Sequence, residues 1–410
     1  MTSKNLSVIL PLFLIIIIDA MGLSLVLPVV TSLMLSAHSP LLAHDFSPLI
    51  RNILYGGTLM LYPLGMFFGA PILGDLSDRY GRKSILLICL LGAALGYVIS
   101  GIGIAVNSLL LLFVGRFACG LMAGSQSIAQ ATIADITTGK QRTVMMSFII
   151  LAVALGVVFG PMIGGTLSSL RLLHNVNYIA PFGVAMIFAL LNAAWLKYRF
   201  HETFFPKHEN KIQLTKGFRV FLHAFRSPNI RNLSIVFLCF IVSWSLYFQN
   251  LPLYLTKEFG YTSLQLGMFV SFMGVCFSIA LGILTRIFVK FMSTKKIAMT
   301  GLLVSSVSIL ASALFPSLKA QWISVAPAAI CAALAYNAII TLYTELANDK
   351  HQGLMMGISG AVYAASWAIT GVATALMNYF NPRIPSFFAA GLMLIAFLYL
   401  IKNHKKLQVS

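Results

Sequence analysis

Ionised side chains are scarce in this chain. Only 9% of its 410 residues are charged, and 10 of them are Asp or Glu, whereas roughly a quarter of the residues of a soluble globular domain are charged. Hydrophobic residues make up 59% of the chain, which is far too much apolar surface to hide from water. The shortage of charge therefore excludes a soluble domain and indicates a polytopic membrane protein.

The chain also lacks the motifs of nucleotide, zinc and nucleic-acid sites. No G-x-x-x-x-G-K-[ST] loop, HExxH pair or large polar domain is present, which argues against an ATP-driven pump and against a membrane enzyme or sensor. No basic face with interleaved aromatic residues accompanies the net charge of +18, so we expect no nucleic-acid partner. The five cysteines, which fall in apolar runs without metal-ligand spacing, are expected to be packing residues, with no metal site: Cys89, Cys119, Cys239, Cys276 and Cys331.

Long apolar runs are what the sequence has in abundance. A helix needs about 20 mainly apolar residues to cross the bilayer, and six such runs precede residue 200 while six follow residue 229. The predicted spans lie near residues 6–35, 53–73, 84–104, 109–133, 144–167, 178–196, 232–255, 263–288, 297–315, 322–346, 354–377 and 386–401. Alternating β-barrel patterning is absent, so we predict an all-α membrane protein with twelve transmembrane helices.

Lysine and arginine placement indicates the orientation of these spans. With the N-terminus inside, 22 of the 28 lysines and arginines fall in cytoplasmic segments and five in outer loops, as the positive-inside rule requires. The even number of spans returns the C-terminus to the cytoplasm. Compact loops favour a bacterial cytoplasmic (inner) membrane, and we expect contact with membrane lipids.

The spans divide into two six-helix halves around one long polar segment. We predict an N-terminal half at 1–200, a cytoplasmic linker at 201–229 and a C-terminal half at 230–410. The segment GILTRIFVKFMSTKK at 282–296 faintly repeats the glycine and cations of an earlier inter-span segment, which favours pseudo-symmetric halves. Such transporters bind substrate near the bilayer midplane between their halves.

That earlier segment, GDLSDRYGRK at 74–83, places five charges in ten residues between spans 2 and 3. Gly74 and Gly81 are expected to allow close backbone approach, and Asp78 and Arg82 to form switchable ion pairs. The alternative is that these charges only mark topology.

This segment matches in full the G-x-L-x-D-R-x-G-R-K signature of the major facilitator superfamily, which the chain therefore resembles. DAMGLSLVLPVV at 19–30 and IADIT at 133–137 further resemble tetracycline efflux proteins, and GVVFGPMIGG at 156–165 resembles the drug:proton antiporter motif. The resemblance covers the N-terminal half well and the C-terminal half weakly. It implies a gating segment in which Arg82 pairs with Asp135 and latches the outward-open state, and which comprises Gly74, Asp78, Arg79, Gly81, Arg82, Lys83 and Asp135.

Two ionisable residues lie inside predicted spans. Asp19 is the sole carboxylate deep in an apolar run, and because burial disfavours its ionised form we expect it to exchange protons near neutral pH. Arg116 requires compensation at membrane depth, and the resemblance links it to proton transfer. The alternatives are a carboxyl bonded to polar residues of span 4, and an arginine that only joins helices.

Small residues in span 5 and polar residues elsewhere complete the candidate sites. The span 5 residues are expected to allow close helix contact that prevents leakage, although any tightly packed span could use such glycines: Gly156, Gly160, Pro161, Gly164 and Gly165. Cavity candidates, for which simple packing is the alternative, are Gln126, Gln130, Tyr247, Asn250, Tyr336, Asn337, Tyr363 and Trp367.

The predicted function is proton-coupled export of a small amphiphilic molecule, either a drug-like compound or a siderophore-like metabolite. The alternative is proton-coupled import of a nutrient or metal chelate by the same fold. We expect a monomer that needs no cofactor, since the proton gradient supplies the energy.

Overall fold

The computed structural model describes residues 3–35, 39, 41–42, 46–136, 139–172, 175–202, 216–345 and 352–403. Within these ranges twelve helical segments are long and apolar enough to cross a membrane. The only extended pairing among the described residues is β1 (Arg171–Leu172) antiparallel to β2 (Asn175–Val176). The predicted all-α class with twelve candidate spans is confirmed.

The described helices form two compact units. The first comprises Met1–Lys216 together with Tyr261–Ser271, and spans 1 and 4 within it are each divided into two helices. Its helices are α1 (Ser3–Ser24), α2 (Val26–Leu35), α3 (Pro48–Tyr80), α4 (Arg82–Ala105), α5 (Leu109–Met122), α6 (Ser125–Ile136), α7 (Gly139–Ser169) and α8 (Ala180–Arg199).

The second unit comprises Gly217–Gly260 and Phe272–Ser410. Span 8 begins in the first unit and is interrupted by a π-helical stretch at Ala280–Leu284. The remaining helices are α9 (Lys216–Arg226), α10 (Pro228–Phe259), α11 (Ser263–Ile279), α12 (Thr285–Phe291), α13 (Thr294–Leu314), α14 (Leu318–Glu345), α15 (Gln352–Phe380) and α16 (Ile384–Lys402).

The segment predicted as a linker is not polar coil throughout. Residues 203–215 lie outside the described ranges, but residues 216–226 form helix α9. The sequence KGFRVFLHAFR contains both cations and phenylalanines. Its apolar residues recur at helical spacing, which a count of residue types does not reveal. One residue, Ser227, then separates α9 from α10.

Apolar packing in the first unit holds α1 against its neighbours. Leu12, Ile15 and Ile16 of α1 are fully buried in one cluster with Ile128 and Ala129 of α6. Such close-packed interiors leave little freedom for a side chain to move. The packing therefore brings the end of α1 that carries Asp19 against α6.

Candidate functional site

The Asp19 carboxylate lies at the N-terminus of α6. Ser125 and Gln126 are the first two residues of that helix. The Ser125 hydroxyl donates to Asp19 Oδ2, and the main chain of Gln126 forms a further hydrogen bond to the carboxylate. A helix N-terminus presents unpaired N–H groups and a positive dipole end, which attract an anion.

A break in span 4 creates this N-terminus. α5 ends at Met122, and Ala123 and Gly124 form a turn before α6 begins. Gly124 is required there by close packing, because a methyl group on it would lie 2.9 Å from Ala70 Cα in α3. A discontinuous span whose half-helix ends bind ions is a recurring arrangement in transporters.

One turn of α1 is held from two sides by polar side chains. The Tyr62 hydroxyl donates to the main-chain oxygen of Asp19 (2.9 Å), and Arg116 Nη1 donates to the main-chain oxygen of Gly22 (2.8 Å). Position 22 has room only for glycine, because a Cβ there would overlap the hydroxyl of Tyr97. These contacts fix the position of the Asp19 backbone.

Arg116 is 1% exposed and lies over the Tyr62 ring, with its Cζ 4.8 Å from the ring centroid. Its Nε and Nη2 are buried and have no hydrogen-bond partner among the described residues. Asp19 and Arg116 share no direct hydrogen bond or ion pair in the described part of the chain. Tyr62 therefore links the two ionisable residues that the sequence places inside spans.

The Asp19 residue is half-buried. The Ser125 hydroxyl and the α6 N-terminus both direct positive partial charge at its carboxylate.

The span 5 glycines pack closely against α1. A methyl group on Gly156 would lie 2.6 Å from Ile17 O, and one on Gly160 would lie 3.0 Å from Leu25 N and overlap Ser24 Oγ. Gly164 likewise has no room for a side chain beside the main-chain oxygen of Leu25. The predicted close contact is therefore made with the helix that carries Asp19.

Gly165 and Pro161 face a different helix from the other members of this motif. A methyl group on Gly165 would lie 2.9 Å from Gly267 Cα in α11, and one on Gly267 would lie 2.5 Å from Pro161 O. Ser271 Oγ also donates to Val158 O (2.7 Å). The residues of this motif thus contact two helices from two faces.

The segment predicted to be a gating loop is almost entirely helical. α3 continues to Tyr80 and α4 starts at Arg82, so Gly81 alone is outside a helix. Gly74 lies inside α3 with nothing within 4 Å of where a Cβ would be, and the expectation that it allows close approach is wrong in this structure. Gly81 has φ 92°, a conformation that side chains disfavour.

Asp78 and Arg82 form an ion pair across Gly81, with 2.7 Å between Asp78 Oδ1 and Arg82 Nη1. Arg82 Nη1 also donates to Ser77 Oγ (2.8 Å). Arg79 lies against the Tyr80 ring, 5.3 Å from its centroid. The side chain of Asp135, the proposed partner of Arg82, lies outside the described part of the structure.

Glu202, which the sequence analysis missed, caps helix α4. Its Oε1 accepts from Arg82 N (2.9 Å), and its Oε2 accepts from Lys83 N (3.0 Å). A Cβ on Gly81 would overlap the same carboxylate. The sequence signal for this cap was an acidic residue just after the cations at the end of span 6. The N–H groups in the first turn of a helix such as α4 need acceptors, and an acidic side chain can supply them.

Gln126 and Gln130, one turn apart on α6, are both half-buried. Four cavity candidates of the second unit lie among aromatic rings. Tyr363 and Trp367 stand one turn apart with ring centroids separated by 5.6 Å. Tyr247 contacts the Trp244 ring, and Tyr336 contacts the rings of Phe237 and Phe240.

Asn250 is fully buried, and both polar atoms of its side-chain amide form hydrogen bonds. Its Nδ2 donates to Pro382 O (3.0 Å), and its Oδ1 accepts from Asn378 Nδ2 (2.8 Å). Asn378 Oδ1 in turn accepts from Lys257 Nζ (2.8 Å). These contacts favour the packing alternative for Asn250. Asn337 is half-buried, and its main-chain oxygen accepts from Thr341 Oγ1 (2.9 Å).

Comparison with known proteins decides the family. The model of the Major Facilitator Superfamily matches residues 12–294. The chain belongs to this superfamily. It is therefore an integral membrane transporter rather than an enzyme.

Similar sequences of this superfamily include tetracycline resistance proteins. The chain is 35% identical over 168 residues to the class H protein of Pasteurella multocida, covering 40% of this chain and 38% of that protein. It is 27% identical over 274 residues to the class B protein of Escherichia coli, covering 64% and 62%. The match to the class H protein thus spans less than half the length of that relative.

Two solved structures share the major facilitator fold over nearly the whole chain. The human organic anion transporter MFSD10 (TETRAN) superposes with a TM-score of 0.73 at 21% identity, covering 98% of this chain and 100% of the other. A D-xylose-proton symporter superposes with a TM-score of 0.77 at 17% identity, covering 98% of each chain. At these identities the likeness shows the fold alone.

Proposed function

We propose that this major facilitator protein exports a small amphiphilic molecule in exchange for protons, with Asp19 as the proton carrier. One observation carries the proposal: a carboxylate lies within a membrane span at the N-terminus of α6. Its hydrogen bond from Ser125 also fits the alternative of a carboxyl bonded to span 4, and the Asp19→Asn experiment below separates the two. Ionisable residues within spans are costly, so a function has to justify them.

Protonation of Asp19 removes the attraction between its negative charge and the α6 N-terminus. The bonds that join α1 to α6 then weaken, while the main-chain bonds from Tyr62 and Arg116 to α1 persist. α1 can therefore respond to the proton without separating from α3 and α5. This change biases the two access states of the transporter.

Arg116 supplies positive charge close to the same turn of α1. Its cation–π contact with Tyr62 and its bond to Gly22 hold the guanidinium in place. The Nε and Nη2 atoms of Arg116, which have no hydrogen-bond partner among the described residues, are suited to bind water or the ionised carboxylate during the transport cycle. We assign Arg116 a positioning role in proton exchange.

The aromatic side chains of the second unit suit a planar, partly apolar substrate. Trp367 lies 5.6 Å from Tyr363 and 5.3 Å from Phe248, centroid to centroid. The buried indole Nε1 of Trp367 has no partner among the described residues, so it can donate to a substrate oxygen. Tetracycline-like compounds, named by the relatives, are the first to test, followed by dyes and siderophores.

Export, rather than import, is favoured by the tetracycline resistance relatives and by the close packing of the span 5 glycines against α1. We place the protein in a bacterial inner membrane with both termini in the cytoplasm, because cations concentrate on that side. It acts as a monomer and uses the proton gradient without a cofactor.

Inverted vesicles with an imposed pH gradient and a fluorescent proton reporter test the proposal. Tetracyclines, dyes and siderophores are added to vesicles with wild-type protein and with Asp19→Asn. We expect substrate-evoked proton release from wild type and at least about a tenfold loss in the variant, which cannot ionise. Asp19→Glu, which keeps an ionisable group, is the matched control and should retain partial activity.

The possible outcomes separate the alternatives. Proton release that persists in Asp19→Asn would remove Asp19 from the coupling step. Substrate-evoked proton movement in the same direction as the substrate would indicate import by symport. In both cases the variant must be shown to reach the membrane in wild-type amounts.

A further inference from the structure

Helix α9 is too short and too charged to cross the membrane. Its 11 residues, Lys216–Arg226, extend about 16 Å, whereas the hydrocarbon core is about 30 Å thick. It ends one residue before α10, a membrane span, begins at Pro228. α9 therefore has to lie at the membrane surface or in the water beside it.

The residues of α9 form three stripes along the helix. Gly217 and Ala224 are buried, and Val220 between them approaches α15, since a methyl group on Gly357 would lie 3.8 Å from Val220 Cγ1. Positions 217, 220 and 224 share one helix face. This stripe packs on the second unit.

A second stripe is apolar and incompletely covered. Phe218 is 56% exposed, and Phe221, Leu222 and Phe225 are half-buried. The rings of Phe221 and Phe225 are 5.2 Å apart, centroid to centroid. Three phenylalanines and a leucine on one side of an 11-residue helix are unfavourable in water.

The third stripe consists of basic side chains. Arg219, His223 and Arg226 are all exposed and follow one another at helical spacing. The segment KGFRVFLHAFR contains no Asp or Glu, and Arg231, also exposed, adds a cation at the start of α10. Basic residues beside an aromatic face are the pattern of helices that lie in a membrane interface.

The backbone at the end of α9 allows it to leave the direction of α10. Ser227 has an extended conformation, φ −75° and ψ 119°, and Pro228 opens the next helix. Ser227 N still donates to His223 O (3.1 Å), and Arg231 N donates to Ser227 O (2.9 Å). An extended residue between two helices bends the chain, so α9 need not follow α10 into the membrane.

From these three stripes we propose that α9 is an interfacial anchor that binds anionic phospholipids at the membrane surface. Phe218, Leu222 and Phe225 enter the boundary between headgroups and acyl chains, and Arg219 and Arg226 contact the lipid phosphates. Lipid fits better than a protein partner, because the membrane of this integral protein is already adjacent and its charge complements the arginines.

Quenching by brominated lipids tests this assignment in the full-length protein. Phe218→Trp and the matched control His223→Trp are each reconstituted in nanodiscs, and the four native tryptophans are subtracted with wild type. Lipids brominated near the headgroup end of the acyl chain should quench the tryptophan at 218 several-fold more than the one at 223. In mixed bilayers, brominated phosphatidylglycerol should quench position 218 more strongly than brominated phosphatidylcholine does.

Charge dependence is tested by adding Arg219→Gln and Arg226→Gln to the Phe218→Trp protein. We expect the preference for phosphatidylglycerol to disappear while quenching itself persists; the Arg219→Lys and Arg226→Lys pair should keep the preference. Equal quenching at positions 218 and 223, or none at 218, would overturn the interfacial position. Equal quenching by the two lipids with both arginines intact would overturn the anionic specificity.

Discussion

At the residue scale, Tyr62 combines two interactions that substitution can separate. Its hydroxyl donates to the main-chain oxygen of Asp19, and its ring faces the Arg116 guanidinium. A hydroxyl can be removed without the ring, but the ring cannot be removed without the hydroxyl. The two substitutions therefore report different contacts with the same site.

We predict that Tyr62→Phe lowers the free energy of unfolding by about 1 kcal/mol, the usual cost of one hydrogen bond. Tyr62→Leu should cost about 1 kcal/mol more, since the cation–π contact and ring packing are lost as well. Thermal unfolding in detergent measures both, with Tyr80→Phe, a 56% exposed tyrosine, as the control. Equal losses for Phe and Leu would argue against a contribution from the Arg116 contact.

The two glycines of the segment 74–83 should respond in opposite ways to alanine. Gly81→Ala requires a side chain at φ 92° and against Glu202, so we expect a loss of roughly 1–2 kcal/mol and weaker capping of α4. Gly74→Ala meets open space inside a helix and should be neutral or stabilising by up to about 1 kcal/mol. Thermal unfolding of both variants tests the contrast.

Transport by these variants adds a second readout. Gly74→Ala that folds normally but fails to transport would show that the glycine is needed in another state of the cycle. A stable and active Gly81→Ala would contradict the strain argument. Glu202→Gln should reproduce part of the Gly81→Ala loss, because an amide oxygen can accept from Arg82 N or Lys83 N but its nitrogen cannot.

At the element scale, the packing of α7 on α1 depends on the absence of side chains. Gly156, Gly160 and Gly164 recur every four residues, and each faces main-chain atoms of α1 or of Leu25, which follows it. Backbone atoms cannot move aside as the end of a flexible side chain can. The interface should therefore tolerate little added volume.

We predict that Gly160→Ala costs about 1–3 kcal/mol and lowers the transport rate, because its methyl group would overlap Ser24 and crowd Met21 and Leu25. Gly183→Ala in α8 is the matched control, since nothing lies within 4 Å of its Cβ position. Unfolding temperature and transport are compared for the two variants. A Gly160→Ala protein as stable and active as the control would show that α1 and α7 are not packed this closely in the membrane.

At the scale of the whole molecule, the order of the spans makes a prediction about sidedness. Single cysteines at Tyr80 and Ser293 should react with a membrane-impermeant maleimide only in inverted vesicles, and those at Thr262 and Ser317 only in intact cells. All four side chains are exposed, so accessibility depends on the side of the membrane. Any one position labelled from the wrong side would contradict the predicted orientation.

Prediction of the fold from the sequence succeeded where hydrophobic length alone decides. Twelve spans follow from apolar runs, because a backbone in hydrocarbon must bond within its own helix. Hydrophobic length did not reveal the break at Ala123 and Gly124, since the span Leu109–Ile133 as a whole is long and apolar enough to cross the membrane. Gly124 at this break packs against Ala70 in α3, a residue far from it in the chain.

Prediction of the site succeeded for residue types and failed for partners. Asp19 and Arg116 stand out because charge within a span is rare. The roles of Tyr62, Ser125 and Glu202 depend on which side chains meet, and the sequence names no partner for any of them. Gly74 shows the reverse error, because a glycine predicted to permit close contact faces open space.

The sequence by itself determined the helical class, the number of spans and the family, because these depend on apolar length and on a local motif. Only the tertiary structure decided that the Asp19 carboxylate meets the start of α6, that Glu202 caps α4 and that three glycines of α7 receive the backbone of α1. The physical reason is range: hydrophobicity acts on each segment separately, whereas hydrogen bonds and van der Waals contacts join atoms that only folding brings together.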